Sequence, residues 1–496
     1  MDPSRSSMKP RLRVNRHRGE GIVRCTQEQR GQLDRLLFKR YPDAEWGTFF
    51  RFGYRVTPWG VLVTLVDLLK PERGDFDERS HVMEFTSKYI GRGIRSFDDS
   101  GFGLGFIHSH PEDCDPTPSF SDDDMDRYFA GEFEKFSDGR PYVSLIVSRD
   151  EDGRRCFSGR CFVKGEWLPV TRWITVGDQR IIRESEFYEQ NPDKQGDPGR
   201  ERARQLMGAE ASSRLTNSNV GIVGCSGLGT PVGHILARAG IDEFVLVDPG
   251  DFKDSNHERN HASRAEDLGI TDFSKVDLLA RLIREVNPQA KITCLKTDIL
   301  APSTVDALVK CDLLLGCTDS VYARAALGDL STHYLVPVID MAVQMGAKDG
   351  MIIEQVGEIA RYMPGLPCPW CRKRVSSEEI RNELATEDEW KHAEDAVRQA
   401  VERGEDGAQY WIGERVQELT VGYMTTAVAA IGAGYAQGWL AGVSTMPADR
   451  IQFDLGKEGF AYAPDKREPE ADCTCQRCIG FADQGRADFS VSYRGG

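Results

Sequence analysis

The sequence predicts an α/β protein built as two successive units, and three observations carry that expectation. At 496 residues the chain is too long for one ordinary core, so two or three domains are expected. From residue 219 to 319, short apolar strands alternate with helical segments, the pattern of a mostly parallel sheet. Before residue 176, strand-like runs instead follow one another, and the polar stretch "EFYEQNPDKQGDPGRER" separates the two patterns. The expected boundaries are a tail at 1–20, a first unit at 21–175, a linker at 176–200 and a second unit at 201–496.

The first twenty residues carry Lys9, Arg11, Arg13, Arg16 and Arg18 and no apolar segment. They are expected to be a disordered basic tail rather than a signal peptide. "TQEQRGQLDRLLFKRY" predicts a helix capped by Thr26, with Leu33, Leu36 and Leu37 facing inward. Strands are expected in "TFFRFGYRV", "GVLVTLVDLL", "GFGLGFIHSH", "YVSLIVS" and "CFVKGEWLPV". In the second unit "NVGIVG" predicts a buried strand, followed by a glycine loop and the helix "TPVGHILARAG". "EFVLVD", "ITCLKTD" and "CDLLLGCTD" are further strands, with "KVDLLARLIREVNP" a helix between the first two. Residues 375–415 predict a charged helical insert. The uncharged run Val421–Met446 has the length of a membrane span. Its many Gly and Ala, with Tyr435 and Gln437, predict a helix buried inside protein instead. A net charge of −15 argues against nonspecific nucleic-acid binding. Thirteen cysteines without a secretion signal read as thiols or metal ligands, which points to the cytoplasm.

Two stretches carry chemistry. In "GFIHSHPEDCDPTPSFSDDD", His108 and His110 stand two apart at a strand end, so both imidazoles face one side. A loop then returns Asp122 as an oxygen ligand. Two histidines and one carboxylate leave a position open for water, the arrangement of catalytic zinc. Such a site also needs a general base and a hydroxyl for the developing oxyanion, and Ser119 suits the second task. The pattern H-S-H-P-x7-S-x2-D resembles the JAMM (MPN/JAB) metalloprotease family, which cleaves after the C-terminus of ubiquitin-like proteins. The resemblance implies an MPN/JAB α/β domain over 21–175 and an upstream glutamate as base. Glu45 in "AEWGTFF" matches it best and Glu84 less well. Ser119 with Asp122, or Ser121 with Asp124, both fit, and the "PSxxD" form favours the first pair.

In "GIVGCSGLGTP" the glycines let backbone N–H groups approach a phosphate at a helix N-terminus. The nicotinamide fingerprint G-x-G-x-x-G is broken by Ser226, and Asp248 ends the next strand, where an acid can hold a ribose. A nicotinamide-dependent enzyme of the Rossmann type is the alternative. With "DPGDFKDSNHERN", Lys275 and "GCTDS", the segment 200–445 resembles the E1/ThiF/MoeB family, which adenylates the C-terminal glycine of ubiquitin-like proteins. The resemblance implies a Rossmann-like, mostly parallel sheet, with Gly224, Gly227 and Gly229 at the phosphates and Asp248 at the ribose. It also implies Asn256, Arg259 and Lys275 at the triphosphate, Asp319 on Mg2+, and Arg204 reaching across a homodimer.

"CPWC" and "CTCQRC" supply two C-x2-C pairs, Cys368 with Cys371 and Cys475 with Cys478, for a tetrahedral structural zinc; Cys473 is left over. No cysteine lies between residues 372 and 472, where many relatives of the resembled family carry a catalytic thiol. The enzyme then stops at the adenylate, hands the acyl group to a partner's thiol such as that of an E2-like protein, or uses another nucleophile: Ser376, Ser377, Thr420 or Cys473. Together the two resemblances imply a bifunctional enzyme with ATP, Mg2+, one catalytic and one structural zinc. It would release and then activate a ubiquitin-like protein at its C-terminal glycine, for conjugation or, alternatively, for sulfur-carrier chemistry. Neither nucleic acid nor membrane is expected as a partner.

Overall fold

A computed structural model describes residues 10–39, 44–75, 85–98, 101–111, 115–135, 139–186, 201–404, 420–456, 463–464 and 467–485. The chain forms two compact units.

The first unit contains β1 (Glu20–Thr26), α1 (Gln27–Leu37), β2 (Gly47–Thr57), β3 (Gly60–Leu69) and α2 (Ser87–Asp98). It continues with β4 (Gly103–Ser109), α3 (Phe120–Glu134), β5 (Tyr142–Arg149), β6 (Arg155–Val163), β7 (Glu166–Val176) and β8 (Ile181–Ser185). Its sheet runs β1-β3-β2-β4-β5-β6-β7 and closes through pairing of β7 with β1, a mixed barrel with β8 on its flank. Alternation along the strands sorts the apolar residues. Phe50, Phe52, Val63, Ile107, Leu145 and Trp173 share one core cluster. Phe49, Phe106 and Tyr142 face the other way, into a second core with Tyr89 of α2 and Phe129 of α3. Thr26 opens α1 with a capping box, accepting from Gln29 N at 3.1 Å and donating its own N–H to Gln29 Oε1 at 2.8 Å. Leu33 and Leu37 are buried as expected, with Leu36 partly so.

Three local readings differ from the structure. "CFVKGEWLPV" is two strands, because Lys164 and Gly165 take left-handed φ values of 50° and 81° and turn β6 into β7. Residues 10–18 of the basic segment are not free: Asn15 donates its N–H to the Trp167 carbonyl at 2.7 Å, and Arg16 meets Glu186 at 2.9 Å. The segment that returns the third candidate metal ligand is helical, as α3, rather than loop. Residues 480–485 also pack in this unit, with Gln484 Oε1 accepting from Tyr54 N at 2.6 Å.

The second unit begins with α4 (Glu201–Met207), α5 (Ala209–Thr216), β9 (Asn219–Val223), α6 (Gly229–Ala239) and β10 (Glu243–Val247). Then come α7 (Lys275–Val286), β11 (Lys291–Leu295), α8 (Pro302–Leu308), β12 (Leu313–Gly316) and α9 (Val321–Tyr334). β13 (Val338–Lys348), β14 (Met351–Tyr362), α10 (Ser377–Leu384), α11 (Glu387–Glu402), α12 (Gly422–Ala441), β15 (Arg450–Asp454), β16 (Ala463–Pro464) and α13 (Thr474–Arg477) complete it. The sheet order is β11-β10-β9-β12-β13-β14-β15-β16. The first five of these strands are parallel and the rest antiparallel. The chain moves outward from β9 to β11 and then crosses back to β12, which creates a switch point between β9 and β12. The apolar run forms α12, whose glycines let it lie close to the sheet: a Cβ on Gly432 would stand 2.3 Å from Met341 Sδ. Among the described residues no helix is long and apolar enough to cross a membrane.

Phe49 touches four aromatic rings, of Phe85, Tyr89, Phe106 and Phe129, at centroid distances of 5.1–5.7 Å. Phe49→Ala should therefore destabilise the first unit by about 3–5 kcal/mol, read as a lowered denaturant midpoint of the full chain.

Candidate functional site

In the first unit, His108 is the penultimate residue of β4 and His110 directly follows the strand, while Asp122 stands in the first turn of α3. Ligand atoms of the three lie within 4.8 Å of one another, and all three residues are buried. Asp122 is held by a capping box with Ser119, the N-cap: Ser119 N–H donates to Asp122 Oδ2 at 2.6 Å, and Asp122 N–H to Ser119 Oγ at 3.2 Å. Its other oxygen, Oδ1, is 3.1 Å from His108 Nε2, and Oδ2 is 3.7 Å from His110 Nε2. The His108 contact is out of line for a hydrogen bond, so both ring nitrogens of this buried imidazole lack a hydrogen-bond partner among the described residues. An orphaned buried imidazole beside a carboxylate is what a metal ion would satisfy. His110 Nδ1 lies 2.7 Å from the Asp115 carbonyl. Donation there fixes the tautomer and leaves the Nε2 lone pair free to ligate. The donor set fits zinc.

Electrostatics fit the same picture. Burial alone would raise the Asp122 carboxyl, but the two imidazoles and the Ser119 side chain hold it well below the usual carboxylate range. Burial lowers His110, but Asp122, the Asp115 carbonyl and the charge of Glu45 together raise it. Glu45 stands just ahead of β2, whose first residue, Gly47, pairs with His108 of β4. Asp124 instead points to the surface, where Arg127 pairs with it at 2.9 Å. Ser121 is exposed, and Glu84 lies outside the described residues. The S-x-x-D cap is the local signal from which α3 could have been read.

In the second unit a cavity of about 400 Å³ opens at the switch point, beyond the C-terminal ends of β9, β10 and β12. Gly224, Gly227, Asp248, Arg259, Lys275 and Asp319 line it. Gly224 is left-handed, at φ 94°, and a Cβ there would stand 2.4 Å from the Cys317 carbonyl oxygen. Gly229 starts α6 beneath the loop, where a Cβ would meet the Gly224 oxygen at 2.0 Å. Asp248 ties two loops together, accepting from Cys225 N–H at 2.9 Å and Gly250 N–H at 2.8 Å. Lys275 Nζ is 3.8 Å from Asp248 Oδ1, and Arg259 donates to Thr420 Oγ1 at 2.7 Å. Asn256 is buried close by in a short 3-10 turn, accepting from Lys253 N–H at 3.1 Å, and Arg204 is paired on its own helix with Glu201 at 2.9 Å. Neither is among the cavity-lining residues.

Sequence reasoning missed the cavity's floor. Arg324 of α9 is buried and donates to Asp340 at 2.8 Å and to the Thr318 carbonyl at 3.1 Å, which fixes the turn that presents Asp319. Its partner lies on β13, and no local motif announces the pair. Cys225 and Cys317 sit at this loop, but burial pushes both thiols up, so neither is poised as a nucleophile.

The four-thiol cluster comprises Cys368, Cys371, Cys473 and Cys475. Cys478, the expected fourth ligand, is not part of it. Cys473 caps the start of α13 and Cys475 stands in its first turn, so both thiols lie at one end, while Cys478 closes the other. The Sγ separations are 3.8 Å for Cys368–Cys371, 3.5 Å for Cys368–Cys473 and 3.7 Å for Cys371–Cys475. Four thiolates about 2.3 Å from one zinc in a tetrahedron stand about 3.8 Å apart, so the cluster is the right size for zinc. The Glu470 N–H donates to Cys371 Sγ at 3.4 Å, supporting that sulfur from outside the cluster.

A family profile described as the ThiF family matches residues 199–475. Similar curated proteins include the sulfur carrier protein ThiS adenylyltransferase of Escherichia coli (strain K12), 30% identical over 26% of this chain and 51% of that protein. The adenylyltransferase and sulfurtransferase MOCS3 of Drosophila willistoni is 29% identical over 34% of this chain and 36% of its own. The SAMP-activating enzyme E1 of Haloferax volcanii is 26% identical over 33% of this chain and 57% of its own. The chain thus spans 36–57% of the length of these relatives.

The thiol geometry makes a direct prediction. Cys473→Ser should remove one tightly bound zinc per chain, and Cys478→Ser should retain it, as counted by metal analysis of the purified protein.

Proposed function

The chain belongs to the ThiF family, and from that premise we propose that its second unit uses ATP to adenylate the C-terminal carboxylate of a ubiquitin-like or sulfur-carrier protein. The observation that carries this reading is the cavity at the switch point, where glycine backbone, two cations and Asp319 face one space. Gly224 and Gly227 would admit the phosphates to the backbone, with Gly229 holding the loop's shape. Lys275 and Arg259 would neutralise charge as the substrate carboxylate attacks the α-phosphorus and pyrophosphate leaves. Asn256 would brace the triphosphate side, and Asp248 would accept from ribose hydroxyls with its remaining lone pairs. Asp319 offers the hard oxygen that Mg2+ takes, and the ion would supply charge neutralisation at the phosphates. Arg204 is exposed on α4, and in a homodimer it would serve the partner's site. Family membership favours ATP over a nicotinamide cofactor.

The first unit would be a zinc peptidase acting at the same terminus. His108, His110 and Asp122 would hold the ion, which lowers the pKa of water. Glu45 would receive the proton, and Ser119, whose oxygen accepts from Asp122 N–H, keeps its own proton to donate to the oxyanion. Cleavage after a C-terminal glycine creates the carboxylate that adenylation consumes, so one partner protein would serve both reactions.

Two fates of the adenylate remain, conjugation and sulfur transfer. The absence of cysteine from residues 372–472 favours an enzyme that stops at the adenylate or passes it to a partner's thiol, whether an E2-like or a sulfur-carrying protein.

ATP–pyrophosphate exchange with ubiquitin-like proteins ending in glycine tests adenylation. Lys275→Ala or Asp319→Ala should lower exchange by about 10²–10³-fold, the usual cost of one lost group at developing charge; no exchange by wild type with any such partner would end the reading. For the peptidase, His108→Ala and Glu45→Gln should each abolish release of a C-terminal extension from the partner, followed by mass spectrometry. Persistence of cleavage in either variant would remove that residue from the assignment.

A further inference from the structure

The first turn of α3 carries Asp122, and helix ends fray unless something holds them. The capping box holds the ligand side of that turn. The other side is held by groups the metal reading does not use. Asp123, only 1% exposed, accepts from Arg160 Nη1 at 2.6 Å and from Leu12 N–H at 3.0 Å, and forms an ion pair with Arg11 Nε at 2.8 Å. Arg160, 5% exposed on β6, reaches one turn further and donates from Nε to Asp126 at 2.5 Å. Asp126 also accepts from Tyr142 Oη at 2.9 Å. One guanidinium thus clamps two successive turns of α3.

The N-terminal arm closes over the same turn. Arg11 Nη2 donates to the Pro118 carbonyl at 2.5 Å, beside the cap residue, and its guanidinium lies 4.7 Å from the centre of the Phe120 ring. Arg127 of α3 donates to the Pro10 carbonyl. Strand β6 also anchors the loop leading to α3, since Ser158 Oγ donates to the Pro116 carbonyl at 2.5 Å. The register connects this anchor to the histidines: Ser158 lies opposite Ile146 on β5, and Ile146 opposite His108 on β4.

We propose that Arg160 and the arm Pro10–Leu12 are positioning elements that hold Asp122 at the distance from His108 and His110 that a metal ion requires. The inference rests on the metal-site reading of the first unit. The polar contacts of both elements go to Asp123, Asp126, Arg127 and the Pro118 carbonyl rather than to His108, His110 or Asp122, so both would act through the first turns of α3. A bidentate guanidinium suits this because its planar fork meets two carboxylates at once, which an ammonium does not.

The test is zinc titration against a chelator in the full chain, with the His108→Ala chain reporting the thiolate site alone. Deletion of residues 1–12 leaves Arg160 paired to both aspartates, and D123N keeps an acceptor while removing the charge. Each should weaken zinc at the histidine site by about 10–100-fold, as losses around metal ligands do. The thiolate site should keep its zinc. Amide exchange at Asp122 and Asp123 should quicken while β4–β6 stay protected, which separates loss of positioning from loss of fold. Unchanged affinity in both variants would overturn the inference while leaving the metal site standing. A wild-type chain that takes no zinc beyond the thiolate site would overturn the metal reading, and the inference with it.

Discussion

No side chain fits between the turn after β9 and the turn after β12, and the architecture of the second unit follows from that constraint. Gly224 must be left-handed and bare, because the Cys317 carbonyl occupies the space a Cβ would take. Gly229 must be bare because the Gly224 carbonyl turns in above it. With both backbones drawn together, Asp248 at the end of β10 ties the loop after β9 to its own turn by accepting from the Cys225 and Gly250 N–H groups. The same closeness puts Asp319, on the β12 turn, within one cavity with Lys275 and Arg259. A sheet whose strand order did not reverse here would place a crossover where the cavity stands.

The first unit meets a different constraint, the cost of burying polar groups. His108 and Asp122 are removed from water, yet the imidazole has no hydrogen-bond partner among the described residues. Other side chains of the site and of α3 are paired: His110 with the Asp115 carbonyl, Asp122 with the Ser119 N–H, and Asp123 and Asp126 with Arg160. An imidazole without a hydrogen-bond partner, beside a buried carboxylate and a second imidazole, marks a place shaped for a further atom.

What could be read from the sequence was what is encoded locally. Period-two spacing put His108 and His110 on one side, glycine spacing marked the loop after β9, and C-x2-C marked Cys368 and Cys371. Helix–strand alternation gave the parallel sheet. What escaped was encoded by partners far along the chain or by one residue's phase. Arg160 and Arg324 are ordinary arginines until the fold brings Asp123 and Asp340 to them. The exchange of Cys478 for Cys473 turns on where a four-residue helix begins, because the N-cap and the first turn share an end. The basic segment looked like a tail because solvated and paired arginines have the same composition; only the carboxylates they meet distinguish them. The turn at Lys164 and Gly165 shows the same limit, since one glycine splits what apolar alternation reads as a single strand.

The two proposed chemistries need opposite surroundings, and that bears on why one chain would use two folds. Hydrolysis beside a metal gains from a dry pocket with neutral imidazoles and a buried carboxylate, where each dipole acts at full strength. Adenylation brings a polyanion and a carboxylate together, and therefore needs cations and room. A closed barrel supplies the first, because the end of β4 brings His108 and His110 against Asp122 in the first turn of α3. A doubly wound sheet supplies the second, because its switch point opens a crevice that side chains can line but not fill. Lys275 and Arg259 in the barrel site would repel the metal, and His108 without one would leave the phosphates uncompensated. A glycine carboxylate would thus be made in one environment and consumed in the other, each supplied by its own unit.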